Sequence, residues 1–179
     1  MAGIIERVRD KKTRDLACVA GGMGALLCGQ KLLGLSLFAA GFKGLEERWR
    51  EEHDFQGSFE ERWERATAFY EATHQDPVNR FLHVVGIPLV AGGAAGLIMA
   101  RPFRPVWLAS AGAFGLGWAL NFVGHGLFEK KAPAFSEDPL SFLAGPVWDW
   151  QNIKARRFGR APEGRVVPAH EPDEAFAAA

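Results

Sequence analysis

The chain has 179 residues, with 21 Lys+Arg against 21 Asp+Glu and no formal net charge. That length suits one domain with a short tail, and 48% hydrophobic content argues against wholesale disorder. A zero balance excludes a sequence-independent nucleic-acid binder, which needs a basic surplus against phosphate, and two cysteines, Cys18 and Cys28, cannot build a disulfide framework.

The charge is segregated. Residues 16–30, 32–42, 81–100 and 105–128 contain no Asp, Glu, Lys or Arg. A soluble amphipathic helix mixes charge into each turn, whereas about 20 uncharged residues match the thickness of a bilayer. Fifteen mostly polar residues precede the first run, and no small-residue cleavage site closes it, so no signal peptide is expected. Runs 16–30 and 32–42 flank Lys31 and read as a hairpin turning near Gly29-Gln30-Lys31, or as one long helix with Lys31 snorkelling. Gly21, Gly22, Gly24, Gly34 and Gly41 would permit close packing there. The hairpin is favoured by charge: it leaves Lys31, Arg101 and Arg104 as the only basic residues on one side, and places both termini in the cytoplasm by the positive-inside rule.

The segment 43–80 is polar. Glu46-Glu47-Arg48-Trp49 recurs as Glu60-Glu61-Arg62-Trp63, a spacing that suits helix, and the Glu/Arg run at 46–65 reads as a solvated face. Ser58 and Glu61 form a capping box, followed by an apolar stripe Phe59, Trp63, Ala66, Tyr70 with His74 next. Asp76-Pro77 reads as the N-cap and first residue of the following helix, which Pro88 should kink near 84–88. Runs 81–100 and 105–128 are transmembrane candidates joined by Arg101-Pro102-Phe103-Arg104; a buried hairpin in a soluble bundle is the rival reading. Trp148 and Trp150 read as an aromatic belt.

The chemistry lies in the histidines. Folding the second hairpin about its loop places His83 and His125 within about 5 Å of one height, with His74 one short connection away. Glu129 is at i+4 from His125, and Asn79 and Asn121 each precede a histidine by four, so each amide is expected to orient an imidazole. Three imidazoles and a carboxylate at one level make a metal site; imidazole suits Zn, Cu, Fe and Ni, and open positions suit non-haem Fe(II). His53 and His170 lie in charged or tail sequence and read as solvated. No phosphate-binding glycine loop or nucleophile elbow occurs.

Tyr70 with HQDPVNRFLHVVGIPL at 74–89, and FVGHGLFEKKAPAFSEDPLSFLAGPVWDW at 122–150, resemble the Mpo-like family of small membrane proteins. The pattern is His74, Asn79, His83, Gly86, Pro88, Gly124, His125, Glu129, Pro133 and Ala134. The family includes 2-hydroxy fatty acid dioxygenases of fatty-acid α-oxidation. The resemblance implies Fe(2+) held by His74, His83 and His125, with Glu129 the fourth candidate, and O2 and a membrane-borne 2-hydroxy acid as substrates.

The expectation is therefore an all-α integral membrane helical bundle of two antiparallel hairpins, about four membrane helices, with cytoplasmic charged helices. Residues 1–57 form an accessory hairpin and charged helix, 58–160 the Mpo-like membrane domain, and 161–179 a disordered tail. The activity is Fe(II)-dependent shortening of 2-hydroxy fatty acids by one carbon. Glu129, Asn79 and Asn121 serve catalysis. Arg80 or Lys130 steers the carboxylate, and the acyl chain lies among Gly92, Gly93, Leu97, Phe114 and Trp118. A di-iron enzyme would need more ligands than the chain offers. The alternative from another class is a non-catalytic membrane scaffold with structural histidines.

Overall fold

The computed structural model describes residues 11–157, and the expected disordered tail and His170 lie outside them. Among the described residues there are six α-helices and no strand. They are α1 (Lys11–Leu27), α2 (Lys31–Glu52), α3 (Phe59–Thr73), α4 (Pro77–Met99), α5 (Pro105–Val123) and α6 (Ser141–Arg157). A π-helical turn, Gly124–Glu129, prolongs α5, and a 3-10 turn, Ala134–Ser136, precedes α6. The chain forms two compact units that divide after Trp148, and the first carries both hairpins and the three buried histidines.

Residues 16–42 form a hairpin, as the charge pattern favoured. α1 and α2 pack so closely that a Cβ on Gly22 would meet the Phe38 amide nitrogen at 2.6 Å and the Gly34 carbonyl at 2.7 Å. Gly34 and Gly41 are buried in the same seam, but Gly21 and Gly24 are exposed and take no part in it. α4 and α5 repeat the device: a Cβ on Gly93 would meet the Phe114 nitrogen at 2.6 Å. The turns of the two hairpins also meet. Lys31 Nζ donates to the Ala100 carbonyl at the end of α4, at 2.6 Å.

Two helical stretches, Pro77–Met99 and Pro105–Glu129, are long and apolar enough to cross a membrane. Their outward faces carry exposed Phe81, Val85, Met99, Val106, Leu116 and Leu127. The four-span expectation is reduced accordingly. α1 has only 17 residues, and α2 carries charge from Lys43 onward, so neither joins that pair.

Local signals between the hairpins act as read. Ser58 Oγ accepts from the Glu61 amide, and Glu61 Oε2 accepts from the Ser58 amide, closing the capping box on α3. Asp76 caps α4 through the amides of Val78 and Asn79, with Pro77 at the first helical position. α4 runs through Pro88 without interruption.

The Glu/Arg run is not simply a solvated face. Arg62 is fully buried, and its guanidinium donates to Glu46 Oε1 and Oε2 at 2.9 Å and to Asp138 at 2.6 and 2.9 Å. It also lies 3.4 Å from the centroid of the Trp49 ring. The two copies of the Glu-Glu-Arg-Trp echo thus meet: Glu46 and Trp49 of the first hold Arg62 of the second. Burial alone would lower the Arg62 pKa, and its bonds to Asp138 and Glu46 reverse this and hold it above the ordinary value. Asp138 is fixed further by Ser141, so one cation ties α2, α3 and the approach to α6.

Removing one partner of such a network strands the other charges away from water. Arg62→Ala is expected to destabilise the fold by about 3–5 kcal/mol, measured by denaturant unfolding of the detergent-solubilised protein. A loss below about 1 kcal/mol, the range of exposed ion pairs, would contradict a buried network.

Candidate metal centre

His74 follows the last turn of α3, His83 lies on α4 and His125 opens the π-helical turn after α5. All three are buried, and one potential ligand atom from each lies within 4.8 Å of the other two. The rings stand nearly perpendicular to one another, at interplanar angles of 78–89° and centroid separations of 4.7–4.9 Å.

Backbone carbonyls set the ring orientations. His74 Nδ1 donates to the Tyr70 carbonyl at 2.8 Å, and His83 Nδ1 to the Asn79 carbonyl at 2.9 Å. A carbonyl only accepts, so each Nδ1 carries the proton and each Nε2 presents a lone pair. His83 Nε2 then faces His125 Nε2 at 3.1 Å, while His74 Nε2 is buried with no hydrogen-bond partner. If His125 carries its proton on Nδ1, two lone pairs oppose each other. If it carries it on Nε2, Nδ1 becomes a buried acceptor without a donor, since that atom also has no partner. A divalent cation receiving all three Nε2 atoms resolves the first arrangement. Nitrogens 3.1 Å apart can share one ion at bonds of about 2.0–2.1 Å. The donor set therefore fits a metal, with the ring-to-carbonyl bonds common in such sites.

His74 lies before the two stretches that are apolar enough to cross a membrane. Burial pushes its pKa from 6.5 down to about 3, so it is neutral at physiological pH and in its ligand form.

Glu129 does not join the three rings. Its carboxylate accepts from the amides of Gln75 at 3.2 Å and Asp76 at 3.0 Å, and from Asn79 Nδ2 at 3.1 Å. Glu129 is four residues from His125, but its carboxylate is taken by three donors of the His74–Asn79 connection and not by the rings. Glu129 is instead a latch that holds the His74–Asn79 connection against the end of α5.

The asparagines also differ from expectation. The backbone of Asn79, not its amide, orients His83, and the amide is spent on Glu129. Asn79 Oδ1 lies against Gly124 and Asn121 Oδ1 against Gly86, each where a Cβ on that glycine would sit. The arrangement is reciprocal: each helix sends an asparagine four residues before its histidine against a glycine of the other. Both oxygens are buried without a conventional donor.

An apolar cavity of about 400 Å³ opens from the three histidines. Phe114 and Trp118 line it, as expected, together with Asn121. Gly92 is exposed, Gly93 is consumed in helix packing and Leu97 lies in the adjoining core, so these three do not form its walls. Arg80 and Lys130 do not line it either. The Arg80 guanidinium lies 4.6 Å from the centroid of the buried Trp148 ring, which is thereby no part of a membrane belt, and Lys130 is exposed. Sequence reasoning missed Phe135 and Phe142, which pack on Trp118 at the cavity wall, Phe142 stacked and Phe135 edge-on. It also missed the direct role of Tyr70, whose ring stacks on His74 at 3.8 Å. The aromatic at i−4 from His74 was the available signal.

Each of His74→Ala, His83→Ala and His125→Ala is expected to abolish stoichiometric metal binding, read by metal analysis of purified protein. Glu129→Gln should weaken it by about 10–100-fold, the usual effect of a group that positions ligands; unchanged binding in Glu129→Gln would refute the latch. In metal-free protein the folded His74 pKa lies below the unfolded value of 6.5, so the unfolded chain takes up the proton first. That part of the stability is complete above pH 6.5 and falls by up to ~1.4 kcal/mol per unit as the pH drops toward 3. His74→Gln should flatten the slope in acid unfolding curves.

Comparison with known proteins bears on this centre. A family described as 2-hydroxy-palmitic acid dioxygenase Mpo1-like matches residues 58–157, which include all three histidines and Glu129. No curated protein and no solved structure matches the chain.

Proposed function

The chain belongs to the Mpo1-like family, and on that footing we propose that it is an iron-dependent dioxygenase that shortens 2-hydroxy fatty acids by one carbon at a membrane. The observation that carries this reading is the convergence of three buried imidazoles at the head of an apolar cavity. Imidazole donors suit Fe(II), and a three-ligand set leaves positions for substrate and O2. The family name adds the substrate class, a fatty acid bearing a 2-hydroxyl.

His74, His83 and His125 hold the iron in this proposal, and iron supplies the activation of O2 that a side chain cannot. The carbonyls of Tyr70 and Asn79 keep two of the rings in the ligating tautomer. Glu129 and Asn79 fix the connection that carries His74, and so act as positioning residues rather than catalytic ones. Asn121 lines the cavity beside His125, with its Oδ1 packed against Gly86, and shapes the reacting end rather than accepting from the substrate. Trp118, Phe135 and Phe142 exclude water from the reacting end. Arg80 and Lys130 lie outside the cavity lining, so their contribution is positive potential near the entrance and not direct contact. Both long apolar helices support a site at a membrane, where a membrane-borne acid would arrive, and the charge distribution supports the cytoplasmic side.

Purified protein loaded with Fe(II) should consume 2-hydroxypalmitate and O2 and yield the acid one carbon shorter. Each histidine replacement should lower the rate by at least 100-fold. Bound iron with no loss of substrate would remove the enzymatic reading and leave a structural metal site. Histidine replacements without effect on phenotype would favour a membrane scaffold.

A further inference from the structure

The family match begins at residue 58, so it assigns nothing to α1 and α2. Yet both helices reach the cavity. Met23 and Leu26 of α1 line it, as do Leu35 and Phe38 of α2. Along α4 its lining residues are His83, Ile87, Val90, Ala94 and Ile98. These recur every three or four residues, so the cavity follows one face of α4 from the histidines toward the helix end. Fifteen residues separate His83 from Ile98, about 22 Å along the axis.

At the far end the lining meets a buried core cluster. Leu26 packs with Leu97, Trp107 and Phe114 in a buried cluster, and Met23 and Ile98 lie against it. This plug is held in place at the turns. Lys31 Nζ bonds the Ala100 carbonyl at 2.6 Å. Gly29 adopts φ +76°, and a Cβ there would come within 2.9 Å of Pro102 Cβ. The α1–α2 turn is therefore clamped to the α4–α5 turn, and Leu26 sits one helical turn before the clamp. Polarity runs the same way: histidines and Asn121 at one end, only apolar side chains at the other.

We propose that the α1–α2 hairpin is the chain-length gauge of this site, with Met23 and Leu26 forming the floor against which the terminal methyl of a bound fatty acyl tail rests. The inference rests on the fatty-acid reading above, and deepens it by naming the residues that select the substrate. An acyl tail is the occupant that fits a cavity polar at one end, apolar along its length and met by a buried core cluster at the other. Each methylene that enters such a cavity adds about fourfold in affinity. Once the methyl end reaches the floor, further carbons add nothing or must distort the plug.

The test measures affinity, not turnover. Metal-loaded protein in lipid nanodiscs is titrated with saturated 2-hydroxy acids of increasing length, and affinity is read from ligand-dependent thermal stabilisation. Wild-type affinity should climb about fourfold per methylene and then level off. Met23→Trp should bring the plateau to shorter acids, and Met23→Ala and Leu26→Ala should move it to longer ones. Leu33→Trp, on the exposed face of α2, should leave it in place. A plateau that stays put in Met23→Ala and Leu26→Ala overturns the gauge, even if Met23→Trp fails to fold. Absence of binding at every length overturns it as well. A plateau that moves as described, in a protein that consumes none of the acids with Fe(II) and O2, sustains the gauge and removes the dioxygenase reading instead.

Discussion

Two imidazole nitrogens face each other at 3.1 Å in a buried site, with a third ring at right angles to both. Without a cation, either the two lone pairs oppose each other or His125 Nδ1 is a buried acceptor without a donor, and burial denies them water. The arrangement therefore has to be imposed by the surrounding structure. Carbonyls of Tyr70 and Asn79 turn two rings inward. The His74 connection is held by the Glu129 carboxylate through two backbone amides and one side-chain amide. Gly86 and Gly124 let the two long helices approach closely enough to bring His83 and His125 together, because a Cβ at either position would occupy the place of an asparagine oxygen. A cation bound there would relieve the cost of assembling these donors, and this connects the fold to its proposed chemistry.

A second constraint joins the accessory hairpin to the family region. Arg62 lies in the matched segment, and one of its two carboxylate partners, Glu46, lies outside it. Burying a guanidinium is tolerable only with both carboxylates present. The charged part of α2 is thus fixed to α3 at one end of the molecule, while Lys31 fixes the hairpin turn at the other. Held at both ends, α1 and α2 cannot drift away from the cavity they help to wall. On the proposal above, residues outside the matched segment thereby act on the specificity of the site.

Much of the architecture was legible in the sequence. Charge-free runs marked both hairpins, Ser58 and Asp76 marked helix starts, and the rise per residue placed His83 and His125 at one level. These signals are local or depend only on helix geometry. Glu129 was misassigned because the i+4 spacing carries no record of the Gln75, Asp76 and Asn79 donors, 50–54 residues away, that take its carboxylate. Arg62 was read as solvated because an isolated Glu/Arg pattern carries no record of Asp138, 76 residues away. Of the five glycines picked out in the first hairpin, Gly22, Gly34 and Gly41 face the seam and Gly21 and Gly24 do not, a matter of azimuth that composition does not encode.

The sequence by itself determined the helical class, the apolar lengths, the caps and the three histidines that could meet, because each follows from hydrophobic runs, capping chemistry or a fixed rise. Only the tertiary structure decided which nitrogens face inward, that a carboxylate latches backbone instead of joining the rings, and that the outlying hairpin lines the cavity. Those outcomes depend on which groups burial brings together, and on which of them must then satisfy one another out of reach of water.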